Sequence, residues 1–281
     1  MIRRPPRSTP KPSSAASDVY KRQEYLEQNP IDSRFSAEKY ILFLHQLTVV
    51  FDGFKAVDIM ALGIEHNELR VVIGPNGAGK TTMCDLISGK TRASSGTVHF
   101  EGENITDTSE TEIALMGIGR KFQTPTVFDS LTTYQNMELA LPGNQNWLTN
   151  LYKQITSEEN DQILSILERV GLQNELQTEA KYLSHGQRQW LAISTLVLSS
   201  PKLLLVDEPA AGLTDAETEL TAELLLELKG DHTLIVIEHD MDFVRQLDSP
   251  VTMLHEGKIM AEGTLAELQQ NDAVIEAYLG R

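Results

Sequence analysis

Long apolar runs are missing from this sequence of 281 residues, since runs such as 203–206 and 234–237 are only four residues long. A helix that crosses a bilayer needs roughly 20 consecutive apolar residues, so we expect any membrane association to depend on a partner protein. Cysteine is equally scarce, and the single Cys84 excludes an internal disulfide. This fits a reducing compartment, and we interpret Cys84 as a small buried residue.

Basic residues are also in short supply, with 24 Lys and Arg against 40 Asp and Glu and a formal net charge of −16. Proteins that wrap nucleic acid cluster positive charge, so the composition argues against a nucleic-acid partner. Residues 1–23 are the exception, with six basic residues and one acidic residue. This segment is rich in proline and serine and has no apolar block that could serve as the core of a signal peptide.

We expect residues 1–23 to be disordered. They resemble translated sequencing-adaptor read-through, and for that reason we treat them as a leader foreign to the natural protein and leave them out of the fold argument. The alternative is a basic arm that touches anionic lipid or nucleic acid.

Strand-like and helix-like segments alternate along most of the chain after residue 40. This alternation predicts an α/β fold with a mainly parallel sheet. The middle of the chain, residues 124–183, differs, and the apolar spacing within 161–170 predicts a mostly helical subdomain there. The predicted strands are 41–50, 69–73, 96–100, 203–206 and 234–237, with a late hairpin of 251–254 and 258–261. The predicted helices are 81–88, 187–198, 216–228, 241–247 and a single tail helix, 264–279.

A glycine-rich loop joins the predicted strand 69–73 to the predicted helix 81–88, and it has the P-loop spacing G-x-x-x-x-G-K-[ST]. Glycines let backbone N–H groups converge on phosphate oxygens at the N-terminus of a helix. We expect Lys80 to bridge the β and γ phosphates and the Thr81 hydroxyl to bind Mg²⁺. The predicted phosphate-binding residues are Gly74, Pro75, Asn76, Gly77, Ala78, Gly79, Lys80, Thr81 and Thr82.

Two acidic residues, Asp207 and Glu208, end the apolar strand 203–206. The carboxyl ends of parallel strands meet at one edge of a sheet, which places both carboxylates beside the P-loop. We expect Asp207 to hold Mg²⁺ through water. Glu208 is then placed to orient and polarise the attacking water, because phosphoryl transfer depends mainly on positioning and electrostatics.

The segment 183–187 reads Leu-Ser-His-Gly-Gln and resembles the signature of the ABC ATPase family, whose usual form is Leu-Ser-Gly-Gly-Gln. His185 departs from that form. In this family the signature loop completes the ATP site of an opposing subunit. The resemblance therefore implies that Ser184, Gly186 and Gln187 face the nucleotide of a partner subunit.

Further positions match the same family in order along the chain. Gln123 is similar to the glutamine that contacts Mg²⁺ and the attacking water, and His239 to the histidine that contacts the γ phosphate. Phe51 stands where family members carry the aromatic residue that stacks on adenine, with Phe54 as a rival. Thr214 stands where the family has aspartate in the loop after the acidic pair. The resemblance therefore does not decide whether that loop communicates between the two subunits.

The resemblance spans roughly residues 40–281 and implies an ABC ATPase. The implied fold is a P-loop core with a mainly parallel sheet, an antiparallel β subdomain and the helical subdomain at about 124–183. The implied cofactors are ATP and Mg²⁺. The implied partners are a second ATPase subunit, identical or related, two transmembrane permease subunits and, indirectly, an extracytoplasmic solute-binding protein. The chain would then lie in the cytoplasm, on the inner face of the plasma membrane.

Within that family, the tail 272–280 resembles the terminal segment of importer ATPases for branched-chain amino acids and urea. Three stretches look closer to the urea importer than to its amino-acid relatives, and this resemblance favours urea or short amides, with branched-chain amino acids as the alternative. The three stretches are 119–128, 184–190 and 212–218.

Two other classes of P-loop protein are disfavoured. ABC ATPases of DNA repair contain long coiled coils, and those that act on the ribosome carry two ATPase units. Here about sixty residues separate Gln123 from the signature, and one P-loop is present. A metabolic P-loop kinase would lack the signature and would need an acceptor pocket that the sequence does not reveal.

Overall fold

The computed structural model describes residues 39–121, 126–141 and 155–279. Residues 1–23 lie outside these ranges, as does part of the predicted helical subdomain, so both expectations stay predictions. Within the described ranges no helix is both long enough and apolar enough to cross a membrane. The strands are β1 (Tyr40–Phe51), β2 (Phe54–Glu65), β3 (Leu69–Ile73), β4 (Ser95–Phe100), β5 (Glu103–Asn104), β6 (Ile118–Lys121), β7 (Leu203–Asp207), β8 (Thr233–Ile237), β9 (Val251–His255) and β10 (Lys258–Gly263).

Nine α-helices lie in the described ranges. Two of them fall within the predicted helical region, and a short 3-10 helix, Ala180–Tyr182, follows them. The helices are α1 (Lys80–Ile87), α2 (Glu110–Met116), α3 (Thr133–Ala140), α4 (Ser157–Arg169), α5 (His185–Leu198), α6 (Asp215–Leu228), α7 (Met241–Leu247), α8 (Leu265–Gln269) and α9 (Asp272–Leu279).

The strands form two sheets. A six-stranded sheet has the order β10-β9-β3-β8-β7-β6, in which only the β9–β10 hairpin is antiparallel. A four-stranded antiparallel sheet has the order β2-β1-β4-β5. The predicted α/β class, the mainly parallel sheet and the late hairpin are confirmed.

Two hydrophobic cores lie on opposite faces of the parallel sheet, because successive side chains of a strand point to opposite sides. In β7, for example, Leu204 and Val206 pack into one core, whereas Leu203 and Leu205 pack into the other. The first core packs the sheet against α4, α5 and α6, and the second packs it against α1 and the antiparallel sheet. Strands covered on both faces read as continuous apolar runs, which explains the pattern seen in the sequence.

The predicted tail helix is wrong in its continuity. The tail forms two helices, α8 and α9, with a break at Gln270 and Asn271. The Asn271 side chain accepts a hydrogen bond from the backbone N–H of Ala273 (3.1 Å). Asparagine side chains that bond to nearby backbone compete with helical hydrogen bonds, so the chain turns here and starts a new helix.

The long strand β2 was not predicted from the sequence. It pairs with β1 along nearly its whole length, with register shifts between Tyr40 and Leu42 and between Val49 and Val50. Asp52 and Gly53 form the hairpin turn, both with positive φ (48° and 85°). An Asp-Gly pair between apolar segments is a strong hairpin signal, and it was present in the sequence.

Arg70 on β3 is the centre of a largely buried ion-pair network within the six-stranded sheet. Its side chain is 8% exposed and contacts Glu68 (2.5 Å) and Glu262 (2.7 Å). Its guanidinium also donates to the Thr252 hydroxyl (2.9 Å). The network joins β3 to β9 and β10, the strand pair that ends the sheet.

We expect Arg70→Met to lower the free energy of unfolding by about 2 to 4 kcal/mol, because two largely buried carboxylates lose their shared cation. Urea unfolding followed by circular dichroism measures this. The matched control is Arg92→Met, whose ion pair with Asp107 is exposed (77% and 88%) and should cost less than about 1 kcal/mol. Equal effects of the two substitutions would contradict the prediction.

Candidate functional site

The predicted phosphate loop runs from the end of β3 into α1. Gly79 is the residue before the first turn of α1 and has φ 99°. Cys84, on the same helix, is buried, and burial raises the pKa of its thiol to about 12. A thiol in this state is inert, so Cys84 packs in the core as predicted.

Lys80 is buried (7% exposed), and its ammonium donates to the carbonyl oxygens of Gly74 (2.6 Å) and Pro75 (3.1 Å). The lysine therefore closes the loop on itself. Burial lowers the pKa of Lys80, and the nearby carboxylates of Glu208 and Asp207 act in the opposite direction. The loop thus presents a desolvated cation at a helix N-terminus, which is the arrangement that binds phosphate.

The acidic pair lies at the carboxyl end of β7. Asp207 is 6% exposed, and burial raises the pKa of its carboxyl against the lowering effect of Arg120, Lys121 and Lys80. Glu208 leaves the strand with a left-handed backbone (φ 45°), and its backbone N–H donates to the Ile237 carbonyl (2.9 Å). Non-glycine residues with positive φ are sparse and cluster at functional sites.

The predicted catalytic residues Glu208 and His239 lie together. Glu208 Oε1 is 3.5 Å from His239 Nδ1, and the histidine side chain is 57% exposed while that of Glu208 is 20% exposed. They come from adjacent parallel strands, β7 and β8, whose carboxyl ends share one edge of the sheet. In such a pair the carboxylate can orient a water molecule, and the exposed imidazole can contact a terminal phosphate.

The residues present fit a magnesium ion bound together with phosphates. No group of three or more His, Cys, Asp or Glu side chains that could hold a metal occurs in the described part of the chain. Mg²⁺ in phosphate-binding enzymes is typically held by one or two carboxylates together with substrate phosphates. The buried Asp207 carboxylate and the exposed Thr81 hydroxyl supply such a partial ligand set.

Residues 185–187 of the signature form the first turn of α5, and Ser184 is its N-cap, which corrects the predicted start of that helix at residue 187. Ser184 caps α5, and its hydroxyl accepts from the Gln187 N–H (3.2 Å) while the Gln187 side chain accepts from the Ser184 N–H (2.9 Å). This reciprocal capping box fixes the start of the helix at His185, two residues before the predicted start. It also occupies the Gln187 side chain, which was predicted to bind nucleotide.

Gly186 lies against the side chain of Glu217. A Cβ atom at Gly186 would come within 2.4 Å of Glu217 Oε1. Ser184 Oγ is 3.4 Å from the same oxygen. Among the described residues, the side-chain hydrogen bonds of Ser184 and His185 lead to this region and to Ala211, and none reaches the phosphate loop of the same chain.

The remaining predicted residues are less constrained. Phe51 and Phe54 face each other across the β1–β2 turn and are 48% and 63% exposed, so both rings are available and the structure does not choose between them. Gln123 lies outside the described residues. Thr82 is partly buried in the first turn of α1.

The sequence interpretation missed Glu238 and Lys121. Glu238 follows β8 directly and is 1% exposed; Lys121 ends β6 and is fully buried, with its Nζ 3.4 Å from the Asp207 carbonyl oxygen. Burial lowers the pKa of Lys121 to about 8, opposed by the nearby carboxylates. Glu238 had the same signal as Asp207, an acid at the end of a buried strand.

Comparison with known families decides the identity. A sequence profile described as ABC transporter matches residues 57–211, more than half of the chain. The chain belongs to the ABC transporter family. A second profile, described as branched-chain amino acid ATP-binding cassette transporter, matches residues 258–281. This chain is an ABC transporter ATP-binding protein and an ATP hydrolase, and it is similar to ATP-binding proteins of the LivG and BraF type.

Individual relatives agree with this assignment. The ATP-binding protein LivG of Salmonella typhimurium, named for high-affinity branched-chain amino acid transport, is 33% identical over 251 residues, covering 85% of this chain and 98% of the relative. A probable LivG of Archaeoglobus fulgidus is 34% identical over 245 residues, covering 85% and 95%. Identity of this size across nearly the whole relative establishes a shared architecture for the ABC ATPase.

Solved structures match the fold as well. A nucleotide-free ATP-binding cassette of an ABC transporter has a TM-score of 0.69 at 29% identity, covering 86% of this chain and 95% of that one. The ADP conformation of a cassette has a TM-score of 0.72 at 30% identity, covering 86% and 99%. The predicted ABC ATPase fold is confirmed.

Two glycines of the phosphate loop should tolerate alanine differently. A Cβ atom added at Gly77 (φ 79°) would have no neighbouring atom within 4 Å, whereas one added at Gly79 (φ 99°) would come within 2.5 Å of the Ala56 carbonyl oxygen. We expect Gly77→Ala to cost about 1 kcal/mol of unfolding free energy through backbone strain alone, and Gly79→Ala at least about 1 kcal/mol more through the collision.

Urea unfolding of both variants without nucleotide measures the difference. Gly77→Ala is the matched control, because it shares the substitution and the left-handed backbone but not the collision. An equal loss in the two variants would contradict the close approach of β2 to the phosphate loop.

Proposed function

We propose that this chain binds ATP at the 74–82 loop and hydrolyses it with Glu208 as the residue that orients and polarises the attacking water. The observation that supports this most strongly is the 3.5 Å approach of Glu208 to His239 at the sheet edge that also holds Lys80 and Asp207. In this proposal Lys80 binds the β and γ phosphates, and His239 contacts the γ phosphate. We assign these roles because Lys80 and His239 are side chains that a polyphosphate bound at the loop would contact.

Magnesium belongs to the same proposal. Asp207, through water, and the Thr81 hydroxyl would hold Mg²⁺, and Gln123 is proposed as a further contact. When bound, the ion supplies positive charge to the β and γ phosphate oxygens. The chain's own contribution would be to bind the phosphates with Lys80 and to orient the attacking water with Glu208.

We further propose that two ATPase subunits close around two ATP molecules, with Ser184 and Gly186 of one subunit facing the nucleotide of the other. The exposed position of Ser184 at the start of α5 supports this, since a helix N-terminus attracts phosphate. Gln187 would act by capping the helix. The adenine would stack on Phe51 or Phe54, both exposed at the β1–β2 turn.

Closure and reopening of the pair would drive two transmembrane permease subunits, and the ATPase would lie on the inner face of the plasma membrane. An extracytoplasmic solute-binding protein would deliver the solute. We propose urea as that solute, from the resemblance of residues 119–128, 184–190 and 212–218 to the urea importer subunit. The second candidate is a branched-chain amino acid, favoured by the names of the relatives and by the match of residues 258–281.

The catalytic proposal is tested with Glu208→Gln. The amide keeps the shape of the side chain but cannot polarise water as a carboxylate does, so we expect steady-state ATP hydrolysis to fall by about 100-fold or more. Binding of a fluorescent ATP analogue should stay within about twofold, because the phosphate contacts of Lys80 are retained.

Glu219→Gln is the matched control, since Glu219 is exposed on α6, away from the sheet edge. It should leave hydrolysis unchanged. Undiminished turnover in Glu208→Gln would overturn the assigned role, and loss of nucleotide binding would show that Glu208 acts on the ground state.

The solute is tested by uptake of labelled urea and, separately, labelled leucine in cells lacking the gene. We expect only urea uptake to be lost, and to return with the intact gene but not with the Glu208→Gln form, because transport depends on hydrolysis. Loss of leucine uptake alone would transfer the chain to the second candidate. Unchanged uptake of both solutes would reject both assignments.

A further inference from the structure

Glu238 is a buried carboxylate with three backbone donors around it. Its Oε1 accepts from the Ala210 N–H (2.9 Å), and its Oε2 accepts from the N–H groups of His239 (3.0 Å) and Asp240 (3.4 Å). Burial raises the pKa of this carboxyl, and the backbone donors lower it. A carboxylate is an acceptor at both oxygens, which suits a place between two backbone segments that both present N–H groups.

The segment on the far side of Glu238 is the loop of residues 209–214, which follows Glu208. The loop also contacts the signature helix. His185 Nε2 lies 3.1 Å from the carbonyl oxygen of Ala211 and donates to it in the tautomer that carries a hydrogen on Nε2. Thr214, at the end of the loop, is the N-cap of α6 and its backbone N–H donates to the Glu217 carboxylate, which also accepts from the Ser184 hydroxyl (3.4 Å). The loop is therefore held at the adjacent residues 210 and 211 by two different segments of the chain.

We propose that Glu238 and His185 are positioning residues that clamp the 209–214 loop between the His239 backbone and the signature helix. The clamp links the catalytic edge of a chain's own ATP site to the signature that the same chain presents to its partner. This inference rests on the proposed function, in which those two places serve different ATP molecules. A displacement of the His239 backbone moves Glu238, then Ala210 and Ala211, then His185 and the neighbouring Ser184.

The side chains of the clamp can be changed conservatively. In Glu238→Gln the amide oxygen can face only one of the two backbone segments, and its NH₂ group meets an N–H donor on the other. His185→Ala removes the donor to Ala211, whereas His185→Gln retains a nitrogen donor near the position of Nε2. The matched control for His185→Ala is His232→Ala, whose Nδ1 also bonds a backbone carbonyl, that of Pro201 (2.6 Å), away from the site.

The test is a double-mutant cycle on ATP hydrolysis by the full chain. We expect Glu238→Gln and His185→Ala each to lower kcat about tenfold with analogue binding unchanged within about twofold. The double variant should also lose about tenfold rather than a hundredfold, because both act through one loop. His185→Gln should restore kcat to within about twofold, and His232→Ala should leave it unchanged.

Hydrogen exchange supplies a readout that does not depend on activity. The peptide covering residues 209–214 should exchange faster in Glu238→Gln and in His185→Ala, and at the wild-type rate in His185→Gln and His232→Ala. A loss of kcat in the double variant that equals the product of the two single losses would overturn the clamp. Hydrogen exchange of 209–214 at the wild-type rate in both Glu238→Gln and His185→Ala would also overturn it. If the wild-type chain did not hydrolyse ATP, or hydrolysed it equally well without Glu208, the proposed function would be overturned instead. The hydrogen-exchange rates of 209–214 would still test the clamp in that case.

Discussion

The site depends on one constraint, the burial of three parallel strands on both faces. Every residue of β3, β7 and β8 is buried. Strands in this setting carry polar side chains mainly near their ends, or paired as Arg70 is with Glu68 and Glu262, and parallel pairing brings all their carboxyl ends to the same edge. The phosphate loop, the acidic pair and the segment of Glu238 and His239 are each the continuation of one such strand. Their proximity therefore follows from the pairing of the strands, with the P-loop strand β3 next to β8 and β8 next to β7.

The same edge concentrates charge in a region with little water. Asp207 and Glu238 are buried acids, and Lys80 and Lys121 are buried bases. Burial raises the pKa of each acid and lowers the pKa of each lysine, so that it favours the neutral forms. For both lysines and for Asp207, the opposite charges nearby act against that shift. Isolated ions could not persist in such a place. Lys80 approaches the acids from the first turn of α1 and Lys121 from the end of β6, so the charge balance is a property of the folded core rather than of any single segment.

Much of this could be read from the sequence, for reasons that are local. The phosphate loop and the acidic pair are contiguous patterns next to short, mostly apolar strands, and the sequence predicts both. The strand β2 was missed because the register shift at Ala56 interrupts its alternation, although Asp52 and Gly53 are a hairpin-turn signal in the sequence. The tail helix was predicted too long because the sequence pattern does not show that the Asn271 side chain bonds to the backbone N–H of Ala273 and so starts a separate helix. The contacts of Glu238 and His185 join segments 28 and 26 residues apart, and no local pattern reveals such pairs.

The hydrogen bonds of Lys80 have a consequence for selectivity. The ammonium bonds two carbonyl oxygens of its own loop, so an incoming anion does not find a free cation but exchanges with bonds that already exist. Only the difference between the two sets of bonds contributes to affinity. A single weakly charged oxygen gains little in that exchange, whereas adjoining phosphate groups offer Lys80 several charged acceptors at once. The loop thus discriminates by the number and charge of the oxygens presented to it, and its discrimination is built in before any nucleotide arrives.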